Sequence, residues 1–421
     1  MDVLIAGAIF LVTYGLIASE RIDKTVAALL GGLAMIVAGI IDQDHAFEAI
    51  DFNVIFLLAG MMILAAILRQ TGLFQWIAIR SVKLAGGHPF RLLLVLSTVA
   101  AGLSALLDNV TTVVLIAPVT LYVASVLRVT PVPFLISEIL ASNIGGTATL
   151  IGDPPNILIG SAAGLDFGAF MANMAPVAIL VYLAFLVCLR LFFRRQLAVD
   201  GDVRAMVMAL DEREVISNPR LLRLSVGVMA ATLAGFLVHG PLGYEPATIA
   251  LLGAVVLMLL ARVRPDEVLR EVEWPTLFFF IGLFMLVEGI VEVGILEVVA
   301  SGLIAVTGGD QAITTIGLLW LSAGASAIVD NIPYTATMIP VVERLGADGL
   351  AIGPLWWALA LGACLGGNAT IIGASANVVV ANLSARAGHP ISFWLFLRYG
   401  VVVTVVSMVI STGYLWVRYL S

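Results

Sequence analysis

Apolar runs of nearly twenty residues follow one another along almost the whole chain, beginning with Val3 to Ala18, and they leave few folds open. A run of that length can cross a bilayer as one helix. The chain has 421 residues, of which 61% are hydrophobic and only 12% charged. A soluble domain would carry about 25% charge, so the sequence reads as an all-α polytopic membrane protein whose main partner is the lipid bilayer. Its 21 Lys and Arg are dispersed, without a basic stripe, which argues against nucleic acid. Cys188 and Cys364 both lie in apolar runs and do not suggest a disulfide framework. The first run lacks a basic leader and a small-residue cleavage site, so it is expected to be a retained span.

Polar residues inside these runs occur as a duplicated frame. Asp108-Asn109 and Asp330-Asn331 are 222 residues apart. Each is followed by a Gly-rich block: GGTATLIGDPPN from Gly145 to Asn156, and GGNATIIGASAN from Gly366 to Asn377. The closing Asn residues are 221 apart, so the spacing within each half is held to one residue. One binding site assembled from two repeats is the architecture of many secondary transporters.

Charge bias gives the expected topology. Arg and Lys mark cytoplasmic loops, which places Arg190 to Arg223, Arg262 to Arg270, and Arg21 with Lys24 inside. Loops 42–52, 164–170 and 291–311 carry acids without Lys or Arg and read as outside. Run 92–127 is basic at both ends, so it is expected to be a re-entrant hairpin from the cytoplasm with Asp108-Asn109 at its tip. Run 312–342 is its counterpart from outside, with Asp330-Asn331 at the tip. Segments 132–163 and 353–385, interrupted by the Gly-rich blocks, read as broken helices. The expected layout is two N-terminal spans (1–50), repeat 1 (51–197), a cytoplasmic linker with two connecting spans (198–272), and inverted repeat 2 (273–421). That amounts to about ten spans plus the hairpins, in the plasma (inner) membrane, with both termini extracytoplasmic. Stretch 72–86 is too short to span and is placed at the inner interface.

Each motif residue has a chemical reading beside a structural one. A charged Asp at the bilayer centre costs about 2.5–3.5 kcal/mol, so Asp108, Asp153 and Asp330 are candidates for proton or cation coupling. Asp is also a good helix N-cap, and the two roles are compatible. Asn109, Thr111, Thr112, Thr147, Thr149, Asn156, Asn331, Asn368, Thr370, Ser375 and Asn377 supply neutral donors and acceptors for a solute. Gly145, Gly146, Gly366 and Gly367 permit close approach to the tips, although small residues also serve ordinary helix packing. Asp153 has Ala374 as its counterpart, so one half holds an extra carboxylate. Glu138 is a proton-relay candidate or an interfacial or structurally paired acid, and Cys364 a small buried residue or a soft contact. No histidine is assigned chemistry. No catalytic residue, resident metal or cofactor is expected.

With these motifs the chain resembles the ion transporter superfamily, and within it the group of arsenite permease (ArsB), the sodium/proton antiporter NhaD and the P protein. The resemblance covers nearly the whole chain and is more specific for the superfamily than for a substrate. It implies an elevator-like motion of hairpins and broken helices against a scaffold. It also raises a homodimer and an associated ATPase subunit as partners. Related dicarboxylate carriers have Ser-Asn-Thr at both tips, where this chain has Asp108-Asn109-Val110 and Asp330-Asn331-Ile332, and a fixed carboxylate there would repel a dicarboxylate. The expected function is therefore secondary active efflux of arsenite or antimonite coupled to protons. Sodium/proton antiport is the alternative, with an organic anion carrier, an intramembrane aspartyl protease or a passive channel further off.

Overall fold

The computed structural model describes every residue except Glu20, Gly87 and 195–214, so the start of the linker expected within 198–272 lies outside the described residues. Among the described residues the regular structure is entirely helical, and the order of helices runs twice. The first half contains Asp2–Ser19, Lys24–Val37, a short Gln43–Glu48, Phe52–Arg69 and Leu73–Leu84. It continues with the pair Pro89–Ser104 and Asn109–Val126, then Val132–Gly146, Pro154–Ala162 and Phe167–Phe193. The second half repeats this as Pro219–Leu242, Pro246–Ala261, Pro265–Leu269, Trp274–Glu292 and Ile295–Thr307. The pair Gln311–Ser326 and Asn331–Ala347 follows, then Ile352–Gly366, Ser375–Arg386 and Phe393–Leu415.

Among the described residues seven helices are long and apolar enough to cross a membrane, and shorter apolar helices, Lys24–Val37 and Pro246–Ala261 among them, accompany them. The spans expected to stand outside the repeats match each other: Lys24–Val37 and Pro246–Ala261 start 222 residues apart, like the hairpins. We propose that the repeats begin at Asp2 and Pro219 rather than at Asp51 and Glu273. The scaffold pairing follows the same symmetry, because Lys24–Val37 packs on Trp274–Glu292 and Pro246–Ala261 packs on Phe52–Arg69. Asp2–Ser19 exposes Leu4 and Leu11, and Pro219–Leu242 exposes Val226 and Leu237, a surface suited to lipid.

Local chemistry sets the special elements. Asp108 and Asp330 are the N-caps of the second hairpin arms, accepting from Thr111 N at 2.8 Å and Ile332 N at 3.1 Å. Pro118 and Pro340, again 222 apart, each remove one hydrogen bond within those arms. Each broken helix packs against both arms of its hairpin. Glycine makes this approach possible: a Cβ at Gly145 would lie 2.1 Å from the Ala101 carbonyl oxygen, and one at Gly366 would lie 2.6 Å from that of Ala323.

Candidate substrate and ion site

The two hairpin tips and the two helix breaks converge on one buried polar cluster, with Asp153 at its centre. Asp153 is fully buried at the end of the first break. Its Oδ1 accepts from Asn109 Nδ2 of the first hairpin at 3.2 Å and from Asn331 Nδ2 of the second at 3.2 Å. Asn331 also reaches Oδ2 at 3.4 Å. The hydrogen-bond partners are neutral amides, so they solvate the carboxylate without neutralising it. A buried charge in that condition is costly, and a proton or small cation on Asp153 would remove the cost.

Asn143 continues the cluster into the second half. Its Oδ1 accepts from Asn109 at 3.2 Å, while its Nδ2 donates to Asn368 Oδ1 at 2.9 Å and Asn377 Oδ1 at 3.0 Å. Sequence reasoning did not include Asn143. The available signal was its position two residues before Gly145, which makes it the counterpart of Cys364 before Gly366. Cys364 itself donates its thiol to Asn156 Oδ1 at 3.3 Å, within the same cluster.

Several expected solute ligands are committed to the framework instead. Asn156 Nδ2 donates to the Gly146 and Thr149 carbonyls at 3.2 and 2.8 Å, holding the first break. Asn377 Nδ2 does the same for Gly367 and Thr370, both at 2.8 Å. Thr149 and Thr370 donate to the tip carbonyls of Ala105 and Ala327 at 2.7 and 2.6 Å. Thr147 bonds to its own helix through the Asn143 carbonyl. Thr112 has a buried hydroxyl without a partner among the described residues, and Thr111 lines a small space of about 50 Å³ with Arg69 and Glu273. Glu138 is buried and accepts from Thr120, so it is structurally paired rather than interfacial.

Asp330 has a partner that Asp108 lacks. Lys24 Nζ lies 3.3 Å from Asp330 Oδ2, which also accepts from Ser375 Oγ at 2.6 Å. Lys24 sits over the Phe279 ring at 5.1 Å as well. Lys24, Asp330 and Ser375 line a cavity of about 260 Å³ together with Ile17, Ile372 and Val378. The counterpart of Lys24 is Pro246, so no equivalent cation can face Asp108 from that position. Sequence reasoning used Lys24 only as a topology marker, because a partner 306 residues away leaves no local signal.

Comparison with known proteins agrees with this architecture. A family model described as a citrate transporter (CitMHS) matches residues 14–362. The chain is 45% identical to a 46 kDa membrane protein of Mycobacterium leprae over 99% of both chains. It is 47% identical to an uncharacterized transporter of Mycobacterium tuberculosis, covering 99% of this chain and 98% of that protein. The human P protein is 36% identical over 99% of this chain, which spans 60% of that longer protein. The crystal structure of the Alcanivorax borkumensis YdaH transporter shares the fold, with a TM-score of 0.62 at 15% identity, covering 99% of this chain and 98% of that one.

Proposed function

The chain belongs to the citrate transporter (CitMHS) family of the ion transporter type and is a multi-pass membrane transporter, not an enzyme; from that premise we propose that it is an ion-coupled secondary transporter in which Asp153 carries the coupling cation. The observation that carries this reading is the placement of one fully buried carboxylate between the Asn109 and Asn331 amides of the two hairpins. A proton or sodium ion on Asp153 would remove a buried charge at the centre of the body that hairpins and broken helices form. The hairpins enter from opposite faces in this reading, and the Lys24 cavity opens to the cytoplasm.

The solute we propose is arsenite or antimonite, exported in exchange for protons across the inner membrane. Arsenite near neutral pH is mainly an uncharged trihydroxide, and the cluster offers it amide groups from Asn109, Asn143, Asn331 and Asn368. Sodium/proton antiport uses the same carboxylate and is the second reading. Citrate, the substrate in the family's description, suits the site less well. Its carboxylates would meet Asp153 and Asp330, while Lys24, the Lys or Arg among the described residues lining the 260 Å³ cavity, is already paired with Asp330.

Uptake into inverted vesicles under a proton gradient separates these readings. Arsenite accumulation that is lost in Asp153→Asn supports the first. Sodium-dependent collapse of the gradient without arsenite accumulation selects the second. Gradient-driven citrate accumulation overturns both.

A further inference from the structure

One buried acid stands apart from the central cluster, on the interface between Asn109–Val126 and Val132–Gly146. The second half shows how the fold packs that interface without it. Leu359 occupies the place of Glu138, and Val342 the place of Thr120; the matched prolines Pro133 with Pro354 and Pro118 with Pro340 set the register. Leu359 and Val342 are fully buried apolar residues. Glu138 and Thr120 are as deeply buried, each 1% exposed. Packing is thus satisfied by apolar residues in one half, and it does not account for a carboxyl and a hydroxyl in the other.

The protein solvates this carboxyl poorly. Thr120 bonds to Oε1, and Oε2 has no partner among the described residues. The charged residues on the helices packed against Val132–Gly146 are Arg91, Arg190, Arg386 and Arg398. None of them acts on Glu138, and neither does Asp108 or Asp153. An ionised carboxyl has about four lone-pair sites to fill, so a charge left this bare is costly and a proton removes the cost.

Glu138 is also joined to the centre. Ser142, one turn along the same helix and on the same face, donates to the Asn109 carbonyl at 3.3 Å. Asn109 in turn donates to Asp153. Thr112, one turn into the Asn109 helix, adds a second buried oxygen without a partner among the described residues. Unfilled buried oxygens of this kind are the groups a water would bridge.

We propose that Glu138 is a second proton carrier of the transport cycle, holding a proton in this state and releasing it when the interface between the two helices meets water. The carboxyl O–H bond breaks, the proton passes to water, and the carboxylate is left to Thr120 and that water. This role rests on the ion-coupled reading above and holds with either a proton or sodium on Asp153.

Infrared spectroscopy of the purified full chain tests the resting state. A C=O stretch of a protonated carboxyl should be present at neutral pH, lost in Glu138→Gln and kept in Asp153→Asn. Counting protons moved per solute in proteoliposomes tests the release. Glu138→Gln should still move solute with fewer protons for each, and Glu138→Asp should recover the wild-type count. A spectrum in which Glu138→Gln loses no such band overturns the proposal. An unchanged proton count in Glu138→Gln overturns it alone, since it makes Glu138 a permanently neutral packing group and leaves Asp153 untouched. Wild-type transport that moves no ion at all contradicts the ion-coupled reading itself. If Glu138→Gln does not fold, Thr120→Val decides: removing the hydroxyl should shift the C=O band, and an unshifted band overturns the assignment.

Discussion

Asp108 and Asp330 occupy equivalent places and do the same structural work, but among the described residues only Asp330 has a cation beside it. Both cap the second arm of a hairpin. Asp330 also holds Lys24 and Ser375, whereas Pro246 stands where a lysine would face Asp108. The acid in the helix break is distributed the opposite way, with Asp153 in the first half and Ala374 in the second. The frame of the site is therefore symmetric, and the charges within it are not. In the mechanism proposed above, the single carboxylate at the centre is where the coupling ion sits.

The largest effect should come from moving that carboxylate. Asp153→Asn should abolish gradient-driven uptake in vesicles while the protein still inserts and runs as a folded species in size-exclusion chromatography. The double variant Asp153→Ala with Ala374→Asp tests whether the halves are interchangeable. Partial recovery of uptake would mean that the position in the frame matters more than the half that supplies it.

Next are the glycines that bring hairpin and broken helix together. Gly145→Ala and Gly366→Ala each place a methyl group against backbone atoms, at 2.1 and 2.6 Å. Overpacking of this kind costs about 1–3 kcal/mol, with the larger loss of thermal stability expected at Gly145. Equal and negligible shifts would show that the hairpins do not pack as described.

The tip acids should separate by a smaller margin. Asn is itself a good N-cap, so Asp108→Asn should barely change stability. Asp330→Asn also strands Lys24 in a partly buried pocket, at a cost on the order of 1–2 kcal/mol, between exposed and buried ion pairs. It should also leave an inserted but transport-deficient protein. Adding Lys24→Met should recover most of the lost stability in a double-mutant cycle. If the two Asn variants melt together, the lysine contributes nothing. The smallest effect, about 1 kcal/mol each, is expected for Thr149→Val and Thr370→Val, which remove one matched hydrogen bond to each tip.

Much of this arrangement was legible because the polar frame is duplicated. Asp108-Asn109, Asp330-Asn331 and the two Gly-rich blocks located the tips and breaks by spacing alone. The correspondence of Lys24–Val37 with Pro246–Ala261 was not legible, since both are written in interchangeable apolar residues that leave no shared polar pattern. Roles within the blocks were also hidden. Asn156 and Asn377 look like solute ligands in sequence, but their amides are consumed by the carbonyls freed at their own breaks. Lys24 meets Asp330 across 306 residues of sequence, and local pattern does not carry that contact.

The central claim is that Asp153 carries the coupling ion, and proton movement in proteoliposomes loaded with a pH-sensitive dye tests it most directly. Addition of arsenite, or of sodium under the second reading, should move protons in the wild-type protein and in Thr149→Val, and should move none in Asp153→Asn. Solute-driven proton movement at the wild-type rate in a folded Asp153→Asn protein would contradict the account.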